Sequence, residues 1–82
     1  MPTNTHTRKY IKATVEIKRG GIDTVHYDYA TGKMIVWFTS GTAYEHDGVT
    51  QGVFTDLVTT AHSPREYYRM NVYKKFGRRR VL

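Results

Sequence analysis

From position 10 onward the chain alternates apolar and polar side chains. Ile11, Ala13, Val15 and Ile17 are interleaved with Lys12, Thr14, Glu16 and Lys18, the period-2 signature of a strand with one solvated face. This predicts a strand over residues 10–17, closed by Gly20-Gly21. A second run over residues 22–29 sets Val25, Tyr27 and Tyr29 on one side, and Ala30-Thr31-Gly32-Lys33 supplies turn chemistry after it. Residues 34–39 form the most strand-like stretch. Met34, Val36 and Phe38 point one way and Ile35 and Trp37 the other, which predicts cover on both faces; the preceding strand over residues 10–17 is the obvious cover for Trp37. Ser40-Gly41-Thr42 turns the chain into a short fourth strand over residues 43–46, ending at Asp47-Gly48.

Past Val49 the spacing changes to about 3.6. Phe54, Leu57, Val58 and Ala61 fall at i, i+3, i+4 and i+7, one stripe of an amphipathic helix that Thr50 can cap. Ser63-Pro64-Arg65-Glu66 then predicts a second helix: serine at the N-cap, proline at the first helical position, and glutamate completing a capping box. Tyr68, Val72 and Phe76 form its inward stripe, and Gly77 is the predicted stop. The expected core is Val25, Tyr27, Val36, Phe38, Tyr44, Phe54, Leu57, Val58, Tyr68, Val72 and Phe76. The fold class is α+β: an antiparallel β-meander of three to four strands followed by two C-terminal helices. Residues 1–9 read as a flexible arm, residues 10–77 as a single domain and residues 78–82 as a flexible basic tail.

Composition narrows the function. A chain of 82 residues holds one domain. The lack of cysteine removes disulfides, thiolate metal sites and cysteine nucleophiles. No apolar run approaches a membrane span and no signal-peptide core is present, so a cytoplasmic location with no membrane association is expected. Charge is segregated: residues 1–19 carry net +4, residues 20–63 net −4 and residues 64–82 net +6. An anionic partner is therefore drawn to the ends of the chain.

Catalytic chemistry finds little support in the residue pattern. Histidines at positions 6, 26, 46 and 62 form no i,i+2 or i,i+4 pair that could clasp a metal, so each is assigned to structure or solvent and no metal or cofactor is expected. Asp28 and Asp47 belong to strand ends and turns. His46 and Asp47, as strand neighbours, point to opposite faces. Ser40 and Ser63 lack a nucleophile elbow, and Gly20-Gly21 is neither a phosphate loop nor a dinucleotide fingerprint. No enzyme and no small-molecule substrate are expected.

What remains is the basic C-terminal segment with interleaved aromatics: Arg65, Arg69, Lys74, Lys75, Arg78, Arg79 and Arg80, with Tyr67 and Tyr73. Cations release counterions from phosphates, and rings lying away from the inward stripe can stack on unpaired bases. These nine residues are the candidate nucleic-acid site.

The series Ile22, Val25, Tyr27-Asp28, Met34, Val36, Phe38, Gly41, Tyr44, Gly48-Val49, Phe54, Leu57, Ala61, Ser63, Tyr67-Tyr68, Val72 and Phe76 resembles the KTSC domain, a module found at the C-terminus of some lysyl-tRNA synthetases and as small bacterial and phage proteins. The resemblance spans about residues 20–80 and implies an antiparallel sheet followed by two helices. It brings no catalytic residue with it. The chain departs from the family pattern in having Arg65 in place of a glycine, Tyr68-Arg69 in place of phenylalanine-asparagine, and His46 where a second aromatic is usual. Both arginines make the second helix more basic. The expected function is a non-enzymatic module that binds nucleic acid, RNA favoured, through its C-terminal helix and tail; the alternative is a phage-type accessory or inhibitor protein that docks on a host polymerase or nuclease.

Overall fold

A computed structural model describes residues 11–60 and 62–82; the predicted arm and the stripe position Ala61 lie outside them. Five strands, β1 (Lys12–Arg19), β2 (Ile22–Asp28), β3 (Met34–Phe38), β4 (Ala43–His46) and β5 (Arg78–Arg80), form one antiparallel sheet in sequential order. Between β4 and β5 the chain makes α1 (Gln51–Thr55), which widens into a π-helical turn (Asp56–Thr60), and α2 (Pro64–Tyr68), which widens likewise over Arg69–Tyr73.

The pairings among β1 to β4 follow from the alternation. Val15 lies opposite Val25, Val25 opposite Val36, and Val36 opposite Tyr44, so these side chains share the face toward the helices. That face and the helices enclose the core of Ile22, Val25, Tyr27, Met34, Val36, Val49, Phe54, Leu57, Tyr68 and Val72. Phe38, Val58 and Phe76, expected as core, are half-buried against it, and Tyr44, also expected there, is half-buried outside the cluster. Ile22 is fully buried although it stands three residues from Val25, out of phase with a regular strand. A bulge between Ile22 and Thr24 resets the phase. Tyr27 ties sheet to helix: its ring stacks on Phe54 at 4.6 Å and its hydroxyl donates to the Val49 carbonyl at 2.6 Å.

Three local expectations are corrected. Trp37 is half-buried, but β1 does not cover it, because β1 pairs edge-on with β2 within the same sheet. The predicted flexible tail is strand β5, which pairs with β4 through Glu45 opposite Arg79. Gly77 does not end the second helix, whose last helical residue is Tyr73.

The two helix starts behave differently. Thr50 caps α1, its hydroxyl accepting from the Val53 N–H at 3.3 Å. Ser63 precedes α2 without any side-chain cap bond, and Glu66, the expected reciprocal partner, instead pairs with Arg69 at 2.9 Å. Thr50→Ala is thus expected to cost about 0.5–2 kcal/mol, whereas Ser63→Ala stays within ~0.5 kcal/mol, as for an ordinary surface change. Urea denaturation of the two variants checks the contrast, and equal losses would contradict it.

Candidate nucleic-acid interface and its aromatic cleft

Glycine opens the site. The β1–β2 turn passes through Gly20 (φ +62°) and Gly21 (φ +85°), a backbone region that side-chain-bearing residues seldom enter. Space for a side chain is short as well. A Cβ at Gly20 would stand 2.8 Å from Pro64 Cδ, and one at Gly21 would stand 3.0 Å from Arg65 Cδ. The start of α2 therefore rests directly on the turn, and the stem of Arg65 lies across Gly21.

Beside this contact, between α2 and the β3–β4 end of the sheet, is a cleft of about 560 Å³. Phe38, Tyr44, Tyr68 and Tyr73 form its aromatic wall, Thr39, Ser40, Thr42 and Ser63 bring hydroxyls, and Arg65, Glu66 and Arg69 bring charge. The rings hold one another edge to face: Phe38 on Tyr68 at 5.0 Å, Phe38 on Tyr44 at 6.3 Å and Tyr44 on Tyr73 at 6.0 Å. Tyr68 is fixed from behind by His46, which is completely buried. The His46 Nδ1–H donates to the Gly77 carbonyl at 3.1 Å, so Nε2 is the acceptor for the Tyr68 hydroxyl at 2.7 Å. Burial lowers the pKa of His46 below the usual histidine value, and burial raises that of Tyr68 well above the usual tyrosine value.

The nine residues predicted from sequence do not form one surface. Arg65 and Arg69 stand at the cleft; Glu66 neutralises Arg69, while Arg65 has no acidic partner among the described residues. Lys74 and Lys75 are exposed in the turn after α2 and make no ion pair among the described residues. On β5 the side chains alternate. Arg78 and Arg80 lie opposite His46 and Tyr44 on the helix side, whereas Arg79 lies opposite Glu45 on the other face and is ion-paired with it, with Lys33 Nζ a further 3.7 Å from the same carboxylate.

Arg78 folds over Tyr73, its guanidinium carbon 3.9 Å from the ring centroid and its Nη1 donating to the Tyr73 carbonyl at 3.3 Å. Both predicted stacking rings are partly covered by the fold. Tyr67 is half-buried between the helices with its hydroxyl 3.4 Å from Asp56 Oδ2, and Tyr73 is half-buried in the cleft wall. Residues that sequence reasoning missed are Tyr44 and Phe38, placed wholly in the core, and the hydroxyls of the β3–β4 turn. The signal that could have found them was the aromatic excess of the β3–β4 hairpin next to a polar turn.

Sheet order, helix pair and glycine-floored cleft define a small α+β module with one end of its helix side open to solvent. The chain belongs to the KTSC domain family, whose model matches residues 20–76. Its fold is similar to the crystal structure of a KTSC domain protein from Yersinia pestis, with a TM-score of 0.76 at 17% identity, covering 87% of this chain and 99% of that one. No curated protein matches the sequence. Among the described residues no helix is long and apolar enough to cross a membrane.

Proposed function

We propose that this protein is a non-enzymatic, cytoplasmic nucleic-acid-binding module, with single-stranded RNA favoured over duplex. The carrying observation is that Arg78 and Arg80 stand on the helix side of β5, where Arg78 lies over the ring of Tyr73, while Lys74 and Lys75 are exposed in the turn leading to that strand and free of acidic partners among the described residues. Cations without carboxylate partners bind phosphates without first giving up an ion pair. Rings next to them accept unpaired bases, which a duplex keeps stacked. His46, the buried polar side chain, has both ring nitrogens engaged in structural bonds, which suits a scaffold role better than proton transfer.

Titration of labelled single-stranded RNA and duplex DNA at two salt concentrations tests the reading. With about four phosphates neutralised, log K falls with log salt at a slope of roughly −3 for single strands. Lys74→Gln and Lys75→Gln each reduce that slope by about 0.7. Arg79→Gln leaves it unchanged, because Arg79 is on the opposite face and already neutralised by Glu45. Absence of binding at low salt, or a double lysine variant that binds like the wild type, overturns the proposal.

A further inference from the structure

We infer that the cleft beside α2 binds a single nucleotide, its base on the wall of Phe38, Tyr44 and Tyr73 and its phosphate at Arg65. This deepens the nucleic-acid reading and rests on it for the supply of such a nucleotide as the end of a strand.

Three observations converge. The cleft volume of about 560 Å³ is in the range typical of sites that enclose one small ligand, roughly 300–1,000 Å³. Its wall is a row of rings whose edge-to-face contacts fix them before any ligand arrives, so little ordering is required on binding. Its charge is asymmetric: Glu66 is occupied by Arg69, and Arg65 is the guanidinium left for an anion.

The stem of Arg65 lies over Gly21, whose Cβ would stand 3.0 Å from its Cδ, which places this exposed side chain on the cleft rim. A guanidinium fork suits a phosphate in two-point contact. Ser63 adds a second observation of the same kind. At a position where local chemistry calls for a helix cap, its hydroxyl makes no cap bond, and the residue is part of the cleft lining. Hydroxyls of Ser63 and of the β3–β4 turn supply the polar contacts that a ribose or base edge requires, while the aromatic wall accepts the base face.

The phosphate-bearing nucleotide can be free or can terminate a strand, and the experiment separates these sources. Isothermal titration calorimetry of the full chain is run with adenosine 5′-monophosphate, adenosine and ribose 5-phosphate, and RNA titrations compare a single-stranded oligomer with and without a 5′-phosphate. Adenosine 5′-monophosphate is expected to saturate one site. Arg65→Gln weakens it at least tenfold but leaves adenosine unaffected; Arg65→Lys recovers only part of the loss. Tyr73→Leu weakens adenosine and adenosine 5′-monophosphate by the same factor, and ribose 5-phosphate binds far more weakly than either. With RNA, the 5′-phosphate strengthens binding several-fold, and the gain disappears in Arg65→Gln while the salt slope of the unphosphorylated oligomer persists.

Arg65 is exposed, so its variants fold whether or not Tyr73→Leu does. If neither the mononucleotide nor the 5′-phosphate has an effect while oligomers still bind through Lys74 and Lys75, the cleft assignment is wrong and the proposed function stands. If the mononucleotide binds but no oligomer does, the strand-binding reading falls and the cleft assignment survives. Binding of adenosine 5′-monophosphate that is indifferent to both Arg65→Gln and Tyr73→Leu overturns the cleft assignment.

Discussion

Leu57→Ala is expected to lower stability by about 2–5 kcal/mol, from the lost transfer free energy and the cavity left where the leucine stood. Leu57 is wholly buried in the π-helical turn that continues α1, and it packs into the cluster that joins both helices to the sheet. A domain of this size has about 5–15 kcal/mol in total, so one side chain carries a large share. Phe38→Ala should cost less than Leu57→Ala, since Phe38 is only half-buried and one side of it borders the cleft. Urea midpoints at constant m-value measure both. A Leu57→Ala loss below ~1 kcal/mol, or a larger loss at Phe38, would show that the helix packs on the sheet by another face.

Acid should destabilise the protein through His46. The ring is buried and neutral, its Nδ1–H on the Gly77 carbonyl and its Nε2 accepting from Tyr68. A second proton would bury a charge and take away the acceptor that Tyr68 uses. Burial is the main cause of the lowered pKa; the Gly77 bond opposes it, the positive charge of Arg78 adds to it, and Asp47 opposes it. Because the folded pKa lies below the reference 6.5 of the unfolded chain, the unfolded state takes up the proton first. The contribution is complete above pH 6.5 and is lost progressively as pH falls below it toward the folded value.

His46→Gln keeps a neutral donor and acceptor and should flatten the slope of stability against pH between neutral and mildly acidic conditions. His46→Leu should also flatten it, and adds about 1–3 kcal/mol of destabilisation for the buried Tyr68 hydroxyl left unsatisfied. Denaturation series at several pH values provide the slopes. A His46→Gln protein with the wild-type slope would assign the acid sensitivity to other groups.

How much of this could be read from the chain depended on whether the determinant was local. The period-2 runs located β1 to β4, and the spacing of Phe54, Leu57, Tyr68 and Val72 located the inward faces of both helices, because one-sided burial writes itself into the order of residues. Thr50 was legible as a cap for the same reason. Strand β5 was not: three consecutive arginines have no alternation, and their placement is set by β4, with Glu45 34 residues away from Arg79. Once they are in a strand, the pleat sends Arg79 to one face and Arg78 and Arg80 to the other, which divides a charge run that looked continuous. Ser63 matched the capping pattern, yet its cap bond is missing and Glu66 is held by Arg69. The cleft joins a glycine turn, a strand end and a helix face, and no window of sequence contains all three.

The sequential strand order has a consequence for how the molecule assembles and opens. Pairings from β1 to β4 link strands next to one another in the chain and require only short loops to close, whereas β5 must wait for two helices to form before it reaches β4. Its residues are all exposed, and past the strand its attachment continues through the backbone bonds of Val81 and Leu82 to the Ala43 carbonyl at 2.9 and 3.4 Å. Amide hydrogens of residues 78–82 should therefore exchange far faster than those of β2 and β3, through a partial opening that leaves the remaining sheet folded. Such an opening detaches Arg78 from Tyr73 and uncovers the edge of β4 while the hydrophobic core stays closed, so the last segment of the chain to dock is also the one whose release changes access to the tyrosines.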